Sequence, residues 1–284
     1  MKVSVIIPTY NEEDVIGQCL ESLSKQKFDD FEIIIVDDGS SDKTVDVLSN
    51  FQFTISNLQV LKQKHLGAGS ARNLGAKNAK GQVLVFVDAD MTFDKNFLKD
   101  LIKPIFKGET KGTFSKNEFV SNWGNIWARC YNWNQNWETR RRHPKKYPKL
   151  QKVFRAILQS EFQKARGFDL GGAYTDDWSL SEKLGFKATL AQGAIFYHKN
   201  PSSLKEIFRH TQWVGQRRYK LGFLGALLAL SRASLPFSLI VGLLKSLLNK
   251  EPRFLIFKII YDLGESIGII KYNVNLHPHF RANS

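Results

Sequence analysis

Glu32-Ile33-Ile34-Ile35-Val36-Asp37-Asp38-Gly39-Ser40-Ser41-Asp42 is a run of β-branched aliphatics that breaks at once into acids, a glycine and two serines. A strand that is apolar without alternation is covered on both faces, as a parallel strand between helix layers is. Ser41 and Asp42 then supply N-cap chemistry for a helix through Leu48. The same pattern recurs on either side. Val3–Ile7 predicts a strand, and Glu12–Gln26 carries apolar residues at helical spacing (Val15, Ile16, Cys19, Leu20, Leu23). Leu58–Leu61 predicts a third strand, Gly67–Ala79 a loop feeding a helix, and Val83–Val87 a fourth strand. Strands alternating with helices make an open, mostly parallel α/β sheet, with ligands at the carboxyl ends of its strands.

Composition fits that class. Of 284 residues, 43% are hydrophobic and 24% charged, which excludes a disordered tail, a fibrous repeat or a coiled coil. Cys19 and Cys130 cannot build a disulfide framework or a four-ligand zinc site. The run before Pro8 is too short for the apolar segment of a secretory signal. Charge is unevenly spread. Residues 1–100 hold eleven Lys and Arg against fifteen Asp and Glu, whereas residues 101–284 hold thirty against twelve, a net of +18. The second part therefore faces something anionic, or simply has a basic solvated surface.

The strand ends carry the chemistry. Asp88 and Asp90 follow the fourth strand, where two hard-oxygen ligands suit Mg²⁺ or Mn²⁺ beside substrate phosphates, and where a plain solvated turn has the same composition. Asp37-Asp38 at the neighbouring strand shifts the balance, because so many carboxylates at one edge repel unless a cation or hydrogen-bond donors are held there. Gly67-Ala68-Gly69 before Arg72-Asn73 offers amides and a guanidinium to a phosphate or base, but is no P-loop.

In combination and in order, Ile6-Ile7-Pro8-Thr9-Tyr10-Asn11-Glu12, Ile35-Val36-Asp37-Asp38-Gly39-Ser40-Ser41-Asp42, Gly69-Ser70-Ala71-Arg72-Asn73 and Phe86-Val87-Asp88-Ala89-Asp90 resemble the family 2 glycosyltransferases, over about residues 1–215. The resemblance implies a GT-A (Rossmann-like) fold and an inverting enzyme that takes a nucleoside-diphosphate sugar. Pro8, Thr9, Tyr10, Glu12 and Asp38 would line the nucleoside pocket, Arg72 would hold base or diphosphate, and Asp88 would reach the ribose. Asp90 would bind the Mg²⁺ or Mn²⁺. Gly167-Phe168-Asp169 followed by Thr175-Asp176-Asp177-Trp178 is similar to the acceptor-side segment, which makes Asp177 the catalytic base. His198 resembles the late histidine that completes the metal or diphosphate site, and an ordinary strand-end histidine reads the same way. Arg166 departs from the family's Gly-Gly-Phe-Asp. The segment from Gln212 to Tyr219 lacks the spacing of the processive Gln-x-x-Arg-Trp box, which favours single-sugar transfer.

The implied organisation is a catalytic domain over 1–221, with a donor half at 1–115 and an acceptor half at 116–221, followed by an apolar helical region over 222–284. Ser203–Leu221 predicts a basic helix. Phe223–Leu248 is long enough to span a membrane, but Arg232 and Pro236 favour an interfacial or hairpin arrangement, with Phe254–Ile270 as a second arm. The expected place is the cytoplasmic face of a membrane, with a glycan or lipid-linked acceptor. Core helices of a soluble cytoplasmic enzyme are the other reading. The Trp- and Arg-rich segment 121–148 suits an acceptor-side lid, a membrane interface or a structural cluster. A non-catalytic nucleotide-sugar-binding module is the rival in function, and no nucleic-acid partner is expected.

Overall fold

The computed structural model describes residues 2–52, 55–170, 176–217 and 219–276. The chain forms two compact units. Of the described residues, one unit comprises those within 2–119, 146–170 and 176–198; the other comprises those within 120–145 and 199–276.

The first unit is built on the predicted strands: β1 (Val3–Thr9), β2 (Phe31–Asp37), β3 (Leu58–Lys62) and β4 (Val83–Phe86). They lie side by side in the order β3-β2-β1-β4, all parallel, so their carboxyl ends share one edge. Helices α1 (Ile16–Ser24), α2 (Thr44–Gln52) and α3 (Ala68–Asn78) follow the first three strands. The pleat sends Val3, Val5, Ile7, Ile33 and Ile35 into one core cluster with α1. Ile6, Ile34 and Val36 belong to clusters that include Ala71 and Ala76 of α3. Ile33 through Val36 are all fully buried, as the unbroken aliphatic run requires.

Beyond β4 the sheet is mixed. After β5 (Met91–Phe93) and α4 (Phe97–Phe106) come β6 (Gly112–Phe114), β7 (Asn117–Val120) and, in the second unit, α5 (Ile126–Asn134). The first unit continues with β8 (Leu150–Gln151), β9 (Ala156–Leu158), α6 (Gln159–Lys164), α7 (Asp176–Leu184), β10 (Ala188–Leu190) and β11 (Ile195–His198). The large sheet extends as β4-β9-β6-β10-β8, with β9 antiparallel to both β4 and β6. A separate three-stranded sheet has the order β5-β11-β7.

The second unit is helical: α5, α8 (Leu204–Gly215), α9 (Gly222–Arg232), α10 (Leu235–Asn249) and α11 (Arg253–Leu276). The basic helix ends at Gly215 rather than at Leu221: Gln216 leaves helical geometry, and the Arg217 amide turns back to the Gly215 carbonyl. Helix α8, grouped with the catalytic half in the sequence, packs along α11. A side chain at Gly264 or Gly268 would collide with the backbone of α8 at Phe208 or Gln212, so glycine sets the close approach. Phe223–Leu248 is two helices bent by 55° at a short break. Pro236 falls in the first turn of α10, where its missing N–H costs nothing. Among the described residues no single helix is long and apolar enough to cross a membrane. Of the residues read from sequence, Thr175, and Arg218 within the segment from Gln212 to Tyr219, lie outside the described ones.

Candidate active site

The site grows from the shared strand edge. β4 ends at Phe86, and two residues later Asp88 meets two guanidiniums. Arg72 Nη2 donates to Oδ1 at 2.8 Å, and Arg155 Nη1 to Oδ2 at 3.2 Å. Arg72 stands on the first turns of α3. Arg155 is placed by strand register: β9 pairs antiparallel with β4, and the Phe86 amide donates to the Arg155 carbonyl. Burial alone would push the Asp88 carboxyl up, but Arg155 and then Arg72 outweigh it and hold it well below the usual range. Asp88 is thus an ionised carboxylate with both oxygens engaged.

Arg72 also donates through Nη1 to Asp177 Oδ1 at 2.5 Å. One guanidinium therefore ties the strand-end acid to the first turn of α7. The approach to α7 is fixed by Asn73, whose amide nitrogen donates to the Phe168 carbonyl at 2.9 Å and whose Oδ1 accepts the Phe168 amide at 2.8 Å. Gly167, at φ +78°, has the Asn73 side chain where a Cβ would stand, so only glycine turns here without strain.

Asp90 meets a different group. β11 pairs antiparallel with β5 so that His198 lies opposite Met91, beside Asp90. His198 Nε2 is 2.8 Å from Asp90 Oδ2, and Nδ1 is 2.9 Å from Glu118 Oε1 on β7 at the other flank. Among the described residues no group of three or more His, Cys, Asp or Glu could by itself hold a metal ion. Asp90 and His198 nevertheless fit a Mg²⁺ or Mn²⁺ ion that takes its other ligands from diphosphate and water. Glu118 would fix the ring through its second nitrogen. The Glu12 carboxyl nearby is pushed up to about 7, by burial first and then by the Asp90 and Asp88 charges.

The expected nucleoside side is more closed than its composition suggests. Asp38 is buried, and its carboxylate accepts from Gln63 Nε2, the Leu66 amide and the Gly67 amide, with His65 Nδ1 at 2.9 Å. It organises the loop after β3. Asp37 is buried and accepts the Ser40 amide. Donors within the chain, not only a ligand, make the acid-rich edge tolerable. Thr9 is buried with its hydroxyl unpartnered, beside Asp37 in the sheet register. Tyr10 is exposed and stacks on His65, ring centroids 4.0 Å apart. Pro8 is half-buried at the end of β1.

The structure thus brings Arg72, Asp88 and Asp177 into one network, and Asp90 and His198 into another. Sequence reasoning missed Arg155, Glu118, Gln63 and His65. Arg155 is a lone charge before a short apolar strand and Glu118 follows the polar run Ser115-Lys116-Asn117; both patterns also describe ordinary surface residues.

The model of glycosyl transferase family 2 matches residues 4–167. A poly(ribitol-phosphate) β-glucosyltransferase of Bacillus spizizenii is 43% identical over 94 residues, 32% of this chain and 15% of that protein. The poly(ribitol-phosphate) β-N-acetylglucosaminyltransferase TarS of Staphylococcus aureus is 42% identical over 102 residues, 34% of this chain and 18% of the relative. The chain therefore covers under a fifth of either relative's length. Among solved structures, S. aureus TarS 1-349 in complex with UDP-GlcNAc aligns with a TM-score of 0.59 at 19% identity, over 96% of this chain and 92% of that one. The mannosyltransferase PcManGT from Pyrobaculum calidifontis, in complex with GDP-Man and Mn²⁺, aligns at 0.56 and 17%, over 100% and 76%. At such identities the likeness is one of fold, and the fold is GT-A.

Proposed function

The chain belongs to glycosyl transferase family 2, and from that premise we propose that it moves a single sugar, with inversion, from a nucleoside-diphosphate sugar to an acceptor hydroxyl or lipid phosphate. The observation that carries the reading is the pair of networks at one strand edge: Asp88–Arg72–Asp177, and Asp90–His198–Glu118. TarS with UDP-GlcNAc and the mannosyltransferase with GDP-Man support a sugar nucleotide as donor without choosing its base. The relatives that act on poly(ribitol-phosphate) support a glycan or lipid-linked acceptor. The basic second part of the chain suits work at the cytoplasmic face of a membrane.

In this reading Asp90 and His198 hold Mg²⁺ or Mn²⁺, which supplies charge for the departing diphosphate. Thr9 offers its free hydroxyl and Tyr10 its ring to the nucleoside. Arg72 and Arg155 keep Asp88 ionised and fixed in direction. Asp177 takes the proton of an acceptor hydroxyl once Arg72 turns toward the donor's phosphates. If the acceptor is a phosphate, already anionic near neutral pH, Asp177 orients it instead. The Arg72–Asp177 bond favours this second reading, because it sets a guanidinium beside Asp177 where an anionic acceptor would be held.

Asp177→Asn tests both. Donor binding by calorimetry should be unchanged, and transfer to a hydroxyl should fall by about two orders of magnitude or more. Product mass spectrometry with UDP-, GDP- and dTDP-sugars identifies the donor. Unchanged transfer by Asp177→Asn moves the assignment to the phosphate acceptor. Full activity in excess EDTA removes the metal, and no transfer with any sugar nucleotide leaves a binding module.

A further inference from the structure

Helix α10 is amphipathic in the wrong sense for water. The side it turns to the rest of its unit carries Ser238, Gly242, Lys245 and Ser246. Ser238 Oγ donates to Asp262 Oδ2 of α11, Gly242 sits against Leu255, and Lys245 Nζ donates to the Trp133 and Asn134 carbonyls and to Asn136 Oδ1. The opposite side shows Ile240, Leu243, Leu244, Leu247 and Leu248, the last two 77% and 81% exposed. Their spacing of three and four residues makes one continuous apolar face. Preceding it, α9 exposes Phe223, Leu224, Leu227 and Leu228. A helix packed on a soluble protein turns its apolar stripe inward. Here polar groups hold the helix to the protein and the leucines are left for another medium.

We propose that α9 and α10 form an in-plane anchor that buries this apolar face in one leaflet of an anionic lipid bilayer. Length argues for lying in the plane. The two helices hold 11 and 15 residues and are bent by 55°, so the longer reaches only ~22 Å against a hydrocarbon core of ~30 Å. Charge argues for anionic lipid. Residues 199–284 contain thirteen Lys and Arg against four Asp and Glu. Lys220 precedes α9, Arg232 ends it and Lys250 caps α10, all exposed at the margins of the apolar stretch. Basic residues at such margins meet headgroup phosphates while their stems lie along the acyl boundary. The same margins count against a second copy of this chain as the occupant, since joining two such faces brings like charges together. The proposal rests on this face alone and not on the catalytic reading, so each can fail without the other.

Vesicle flotation of the full chain tests it, without donor or acceptor. The protein should float with phosphatidylcholine vesicles containing about one third phosphatidylglycerol, and at least about tenfold less with phosphatidylcholine alone or in molar salt. Leu243→Glu with Leu247→Glu should abolish flotation while circular dichroism and donor binding stay as in the parent. Lys220→Glu with Lys250→Glu should weaken only the phosphatidylglycerol-dependent part. A Lys250→Cys variant should react fully with an impermeant maleimide added outside closed vesicles. Protection of that cysteine would mean that the pair crosses the bilayer, and would overturn the in-plane arrangement. Flotation unchanged by the two glutamates would overturn the assignment of the face. A chain that ignores anionic vesicles, and whose dimer the glutamates dissociate, would overturn the lipid in favour of a second copy.

Discussion

The two units of this protein use the same aliphatic residues in opposite directions. In β1, β2 and β4 isoleucine and valine face inward on both sides of the sheet, and charge gathers at the strand ends, where Asp88 meets Arg72. In α9 and α10 leucine faces outward, and the charge lies inside: Lys258 Nζ donates to Asp262 Oδ1 at 2.6 Å, with Ser238 on the second oxygen. The first arrangement leaves charge at an edge of the sheet, where the candidate site lies. The second makes a clamp in which Lys258 and Asp262 pair with each other and Ser238 joins them. Hydrophobic content does not separate the two; the direction of the polar groups does.

Breaking the clamp should have the largest effect. Asp262 and Lys258 are almost wholly buried, so Asp262→Ala strands an ammonium between helices and should cost about 3–5 kcal/mol in urea unfolding. Replacing both, Lys258→Met with Asp262→Leu, should return stability to within about 1 kcal/mol of the parent or above it. A double variant as unstable as the single would mean that the pair does more than satisfy itself. The equivalent neutral pair at Asp88 and Arg155 should not restore transfer, because that charge has work beyond the fold.

A smaller effect separates the regions by pH. Glu12 has its pKa raised from 4.5 to about 7 in the folded chain, by burial and then by Asp90 and Asp88. Between those values the folded state holds a proton that the unfolded state has lost. Stability therefore falls as pH rises through this window, by at most about 3 kcal/mol and by less with solvent screening. Glu12→Gln should remove that fall, measured as the difference between parent and variant at pH 5 and pH 8. Millimolar Mn²⁺ should flatten the parent's profile toward the variant's. Parallel profiles without metal would break the idea of a crowded anionic edge.

How much of this could be read in the sequence follows from what is local. The four leading strands, their helices and the acids at their ends were legible, because each is set by a run of a few residues and its turn. Asp90 beside His198 was legible only through resemblance, since the two are joined by the pairing of β5 with β11. Arg155 and Glu118 were not legible: strand pairings made far along the chain place them, and no short pattern encodes such a pairing. The partners of Asp38 were not legible, because acid composition says nothing of the Gln63 amide and loop N–H groups that donate to it. The break in Phe223–Leu248 was legible from Arg232 and Pro236; which side of α10 faces out was not, because it depends on Ser238 finding Asp262.

The smallest expected effect is the sharpest contrast. Ile35 is fully buried in β2, so Ile35→Val removes one methylene from a packed sheet and should cost about 0.5–1.5 kcal/mol in any buffer. Leu247 is 77% exposed on α10, and Leu247→Ala removes a far larger side chain. In lipid-free buffer it should change unfolding by no more than about 0.5 kcal/mol, because the leucine has little to lose there and alanine favours the helix. With anionic vesicles present the order should invert for membrane affinity: Leu247→Ala should weaken binding several-fold and Ile35→Val should leave it alone. A loss above about 1 kcal/mol for Leu247→Ala in plain buffer would show that the leucine face is packed in solution. The two units would then differ in sequence pattern but not in the medium they face.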